Sequence, residues 1–164
     1  MVIKLALMII AFLGILIGAF IGRHTYEELK KGEKYFILFK NLVLGILAVA
    51  LLFSIKRLAL DFVVVFIVGF LIAYFLRYTY FFLGLSAVVS IMISQELLIM
   101  PLIYLYGLPF GTIRYYHIKG RIRLARIILI NFILFMLPLS LLLFEFDVYM
   151  LMAFSAGALI AHIR

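Results

Sequence analysis

Apolar residues run almost unbroken through six stretches of this chain, 5–21, 36–53, 58–76, 80–106, 127–144 and 148–163, separated by short charged breaks. A hydrocarbon environment supplies no water to satisfy backbone groups, so a segment that crosses it must be a helix or part of a closed barrel. Barrel strands alternate with period two. These runs do not alternate, and each approaches the roughly 20 residues that a helix needs to span a bilayer. The pattern predicts an all-α integral membrane protein, a bundle of six transmembrane helices, or five if one run is not a span. One polytopic domain would then fill residues 1–164 and leave no room for a soluble domain.

The breaks refine this outline. Lys4 precedes the first run as it would in a signal peptide, but no small-x-small cleavage site follows, so 5–21 is read as a helix. In the segment 22–34, Thr25-Tyr26-Glu27-Glu28 has the spacing of a capping box, and Gly32 is placed to end a short surface helix. His24, Glu27 and Glu28 could alternatively offer ligands to a metal, although their spacing is not distinctive and a solvated turn is the preferred reading. Lys40 and Asn41 lie near the start of the second run, where a lysine can reach the headgroups. Asp61 can pair with Arg57 at the start of the third. Gly107, Pro109 and Gly111 mark a loop that leads into a segment carrying Arg114, Lys119, Arg121, Arg123 and Arg126 with no acidic residue.

Composition fits the pattern. The chain is 69% hydrophobic with a mean hydropathy of +1.33, far above the roughly 45–50% apolar content of soluble domains. With no cysteine, disulfides, thiolate nucleophiles and cysteine-ligated metals are excluded. No tryptophan is present, so Tyr and Phe must supply the interfacial aromatics, and Tyr35, Tyr78, Tyr80, Tyr104, Tyr106, Tyr115, Tyr116 and Tyr149 all sit near run ends. The net charge of +8 comes from residues at membrane edges. Their expected partners are the bilayer and its anionic headgroups, not nucleic acid. With six spans, Lys4, Lys56, Arg57, Arg164 and the five cations of the basic segment share one face, against Arg23, Lys30, Lys31, Lys34 and Arg77 on the other. The positive-inside rule then places both termini in the cytoplasm of a cell-membrane protein.

The fourth run is the exception among the six. As one helix, 80–106 would measure about 40 Å at ~1.5 Å per residue, against a hydrocarbon core of ~30 Å. It carries Gln95 and Glu96 near its centre, with Ser86, Ser90 and Ser94 on a stripe upstream and Pro101 downstream. An ionisable residue within a span is a functional-site hypothesis by default, and a proline beside it frees the Leu97 carbonyl and invites a kink. One reading is an ion or ligand site built from Glu96, Gln95, Ser90 and Ser94. The other is packing, with Gln95 and Glu96 bonded to Asn131 on the next helix, or Glu96 paired with Arg77 or Lys40.

Two ridges of small residues, Gly14-Gly18-Gly22 and Ala153-Gly157-Ala161, suit close helix contact. They either meet each other or form a homo-oligomer interface. The basic segment, through Arg114, Lys119, Arg121, Arg123 and Arg126, sets topology or docks on lipid headgroups or a partner. The sequence thus supports a small transport-type or accessory subunit centred on Glu96. A scaffolding subunit of a larger membrane complex is the alternative, and a lipid-modifying enzyme comes third. No HExxH, GxSxG or phosphate loop is present, the three histidines lie far apart, and no cofactor is expected.

Overall fold

The computed structural model describes residues 2–55, 60–118, 121–144 and 146–163, without the side chains of 26–28, 30–31 and 121–122. Among these residues the chain forms α1 (Val2–His24), α2 (Tyr26–Phe53), α3 (Leu60–Leu76), α4 (Thr79–Met92), α5 (Glu96–His117), α6 (Arg121–Met136) and α7 (Val148–Ala161), and a 3₁₀ segment, Leu137–Leu143, prolongs α6. No strand occurs among them, and the fold is all-helical. Among the described residues, four helical stretches are long and apolar enough to cross a membrane: α1, residues Gly32–Phe53 of α2, α5, and Arg123–Leu143. The helices α3, α4 and α7 are apolar but shorter.

Three boundaries differ from the sequence reading, each for a physical reason. Thr25 does not cap the amide of Glu28. Its hydroxyl donates to the carbonyl of Ile21 at 3.0 Å, and the chain only bends there before α2 begins at Tyr26 and continues through Gly32. Gly107, Pro109 and Gly111 do not form a loop either, because α5 runs on to His117 and buries all three. The run 80–106 is two helices, not one. The Tyr80 ring lies 6.0 Å from that of Tyr106 and 5.0 Å from that of Phe110, whereas Met92 and Glu96 are near neighbours in the chain. α4 and α5 therefore fold back on each other as a hairpin.

The contact between α1 and α5 explains why α5 persists through its glycines and Pro109. Gly14 faces the main chain of Tyr104, Gly18 that of Leu108 and Gly22 that of Thr112, so the matched positions advance together and the two helices run parallel. From the other side, Gly107 meets the backbone of Gly14, and Gly111 meets the backbone of Ile15 and Ala19. A β-carbon at Gly14, Gly18, Gly107 or Gly111 would overlap main-chain atoms of the partner helix. Small residues permit this approach where apolar burial gives little drive between helices in lipid. The Thr112 hydroxyl adds a polar clasp, 2.9 Å from the Gly18 carbonyl oxygen and 2.8 Å from that of Leu108, with one proton shared between them.

The second ridge is also consumed within the chain, but by a different helix. Gly157 of α7 abuts the Phe66 main chain of α3, Gly69 of α3 abuts Phe154 of α7, and Ala153 and Ala161 are buried. The two ridges thus do not pair with one another, and neither is left open for a second copy. Gly84 repeats the device between α4 and Phe135 of α6. The core beneath these crossings joins Met8, Phe12 and Ile15 of α1 to Leu44, Leu47 and Leu51 of α2, and to Phe82 and Leu83 of α4.

The glycine contacts make a contrast that detergent melting can read. Gly18→Ala should destabilise by at least the ~1–3 kcal/mol of an overpacked core. Gly32→Ala, whose β-carbon meets only Phe36 Cε2 at 3.9 Å, should be neutral or stabilise by about 0.5–1 kcal/mol. Equal melting temperatures for the two variants would contradict the α1–α5 packing.

Candidate functional site: the turn between α4 and α5

α4 stops without glycine or proline. Ser94 takes up the left-handed conformation at φ 57, the Gln95 N–H donates to the Ser90 carbonyl at 2.8 Å, and the Ser94 N–H donates to the Ile91 carbonyl at 3.4 Å. A six-to-one bond paired with a five-to-two bond around a left-handed residue is the Schellman stop, usually made by glycine. Ser94 therefore leaves the serine stripe and sits exposed in the turn. Ser86 and Ser90 remain in α4, fully buried, and their hydroxyls donate to the carbonyls of Phe82 at 2.9 Å and Ala87 at 2.7 Å. They complete no site with Glu96.

Gln95 and Glu96 open α5, each facing a different helix. The Ser54 hydroxyl at the end of α2 lies 2.6 Å from Gln95 Oε1 and 2.9 Å from the Ala50 carbonyl oxygen. Glu96 Oε1 lies 3.3 Å from Lys4 Nζ of α1, and Lys4 also donates to the Ile91 carbonyl at 3.2 Å. One ammonium thereby ties α1 to the last turn of α4 and the first turn of α5. A cation at a helix C-terminus and a carboxylate at a helix N-terminus both complement the backbone dipoles. The Glu96 side chain is 16% exposed and that of Lys4 35%, so this pair is neither fully solvated nor sealed. Glu96 Oε2 is buried with no hydrogen-bond partner among the described residues. It borders a cavity of about 80 Å³ lined otherwise by apolar side chains such as Leu7 and Met100 and by Pro101 and Tyr104.

The partner of Glu96 is thus Lys4, in place of the expected Arg77, Lys40 or Asn131. The chain held one indirect signal for this pairing. Matching Gly14-xxx-Gly18 to Gly107-xxx-Gly111 in parallel puts Lys4, ten residues before Gly14, level with the start of α5. Asn131 lies elsewhere. Its Nδ2 donates to the Ile127 carbonyl at 2.9 Å, and its side chain lines a separate cavity of about 210 Å³ together with Arg77 and Arg114.

The basic segment is mostly helical, with Arg114 near the end of α5 and Arg123 and Arg126 exposed in the first turns of α6. Lys119 and the Arg121 side chain lie outside the described residues. His117 Nε2 is 2.6 Å from Glu33 Oε1 of α2, which brings the α1–α2 bend and the end of α5 to the same end of the bundle. The three histidines do not converge: His24 lies 3.0 Å from the Phe20 carbonyl oxygen and His162 2.9 Å from that of Ala158. No metal-ligating cluster occurs among the described residues, and the side chains of Glu27 and Glu28 are not among them. No protein-family model, curated protein or solved structure matches this chain.

Two measurements examine the turn. A double-mutant cycle of Lys4→Met and Glu96→Gln, followed by thermal unfolding in detergent, should return a favourable coupling of about 0.5–3 kcal/mol; additive effects would show that the pair contributes nothing. Ser94→Gly should raise stability by about 0.5–1 kcal/mol, because glycine adopts positive φ without the steric cost that serine carries.

Proposed function

We propose that this chain is a cell-membrane protein that acts as a structural or accessory subunit of a larger membrane complex, and that Glu96 serves it as a clamp. The position of Glu96 carries this reading. Within one long helix Glu96 would lie near mid-bilayer, where an acid implies an ion path. In the hairpin it lies at one end of the bundle, level with Lys4 and bonded to it, beside a small apolar cavity. The exposed apolar faces of α3 (Val63, Ile67, Leu71 and Phe75) and α6 (Leu129 and Ile133) supply surface for lipid and for neighbouring subunits.

The hairpin also supports a revised orientation. Counting 80–106 as one crossing separates the basic segment from the bend after α1. With α1 and α5 parallel and Glu33 beside His117, the residues Arg23, Lys34, Arg77, Arg114, Arg123 and Arg126 gather toward one end, and Lys4 stands at the other. The positive-inside rule favours the Arg23 end as cytoplasmic. The N-terminus is then on the opposite side, in place of the shared cytoplasmic face that six crossings implied.

A transport role is the competing reading, and the unpartnered Glu96 Oε2 is the observation in its favour. Liposomes containing the parent protein or Glu96→Gln should show ion and solute flux no greater than protein-free vesicles, and native gels of solubilised membranes should show the chain in a larger assembly. Glu96-dependent flux, or migration as a lone chain, would reject the subunit reading. The chain has no cysteine, so single-cysteine variants report orientation cleanly. An impermeant thiol reagent added to intact cells should label Ile3→Cys and spare Lys34→Cys.

A further inference from the structure

The cavity between the α3–α4 turn, α5 and α6 has a chemistry that a packing frame does not need. Arg77 from the turn, Thr79 from the start of α4, Arg114 from α5 and Asn131 from α6 form its polar side, and Phe110 and Ile130 are among its apolar walls. Among the described residues no carboxylate lines it. Neither arginine forms an ion pair among the described residues, where the only ion pairs are Lys4–Glu96 and His117–Glu33. Two guanidiniums on one cavity repel each other unless an anion lies between them.

Arg77 is constrained in its backbone and Arg114 in its side chain. The Arg77 backbone sits at φ 53, a left-handed conformation that is sterically costly for a residue with a β-carbon and persists only where the surroundings impose it. The Arg114 guanidinium carbon lies 5.2 Å from the centroid of the Phe110 ring, which braces the planar group. Asn131 Nδ2 gives one proton to the Ile127 carbonyl and has a second to offer. α4 starts at the cavity with no side-chain cap, so the positive end of its dipole adds to the field there.

We infer that this cavity binds the phosphate group of an anionic phospholipid, with Arg77 and Arg114 donating N–H groups to the phosphate oxygens. Planar guanidiniums suit this task because their paired donors match the spacing of phosphate oxygens. The apolar side of the cavity selects a lipid over free phosphate. Ile130 is 45% exposed and continues into the exposed face of α6 at Leu129 and Ile133, a track along which acyl chains can lie. The volume of about 210 Å³ admits a phosphate with part of its glycerol, not a whole lipid. This inference rests on the membrane placement proposed above, and not on whether the chain is a subunit or a carrier.

The test uses the full chain in dodecyl maltoside micelles with added phosphatidylglycerol or phosphatidylcholine, reading melting temperature against lipid fraction and bound lipid by native mass spectrometry. Phosphatidylglycerol should raise the melting temperature to a plateau with one lipid retained. Arg77→Gln and Arg114→Gln should each require about tenfold more phosphatidylglycerol for the half-maximal shift, whereas Arg23→Gln and Arg123→Gln, which remove the same charge elsewhere, should not. Equal weakening in all four variants, or an equal shift with phosphatidylcholine, overturns the site. So does an equal shift with inorganic phosphate, which would assign the cavity to a free anion. If Arg77→Gln fails to fold, Arg114→Gln decides: undiminished lipid retention by that variant rejects the proposal.

Discussion

The main-chain contact between α1 and α5 is the constraint from which most of the remaining geometry follows. Two parallel helices meet through Gly14, Gly18 and Gly22 on one side and Gly107 and Gly111 on the other, close enough that β-carbons would collide with backbone. Such contact fixes axial register as well as proximity, because each glycine seats against particular main-chain atoms of its partner. The register places Lys4 beside Glu96 and sets α5 running in the same sense as α1. α4, which precedes α5 by only a three-residue turn, must then run back against it. The hairpin follows from the glycine contact.

That hairpin changes what the polar residues of the fourth run mean. An acid in the centre of a span points to ion passage, whereas an acid in the first turn of a helix, at the end of a bundle, stabilises the helix start and binds a neighbour. Lys4 acts on both sides of the turn, on the Ile91 carbonyl and on the Glu96 carboxylate, and Ser54 brings α2 to Gln95. Four helices are thus tied at the point where the chain reverses. At the opposite end, Glu33 pairs with His117, and Arg77 and Arg114 face a common cavity.

Much of the secondary structure was legible in the chain because apolar runs of span length leave few alternatives in lipid. α1, α3 and α7 fall close to the predicted limits, whereas α6 starts six residues before the predicted 127 and gives way to a 3₁₀ segment at Leu137. The turn at Ser94 was not legible, since a serine in the left-handed conformation carries no composition signal and the flanking residues are as apolar as the helices. Gly107, Pro109 and Gly111 misled for the reverse reason. In water they would favour a loop, but against a glycine-lined neighbour the same small residues are what a helix interface requires. Of the candidate site, Gln95 and Glu96 were identified from sequence, but Lys4 and Ser54 were not, being 92 and 41 positions away.

The sequence by itself determined that this protein is helical, apolar along most of its length, free of cysteine chemistry, and charged chiefly at the breaks between runs, because hydropathy and composition act locally. The tertiary structure alone decided which runs are one helix and which are two, which glycine ridge meets which partner, and which charges share an end. Those outcomes depend on backbone contacts between residues some ninety positions apart, such as Gly14 with Tyr104. No local pattern encodes such contacts.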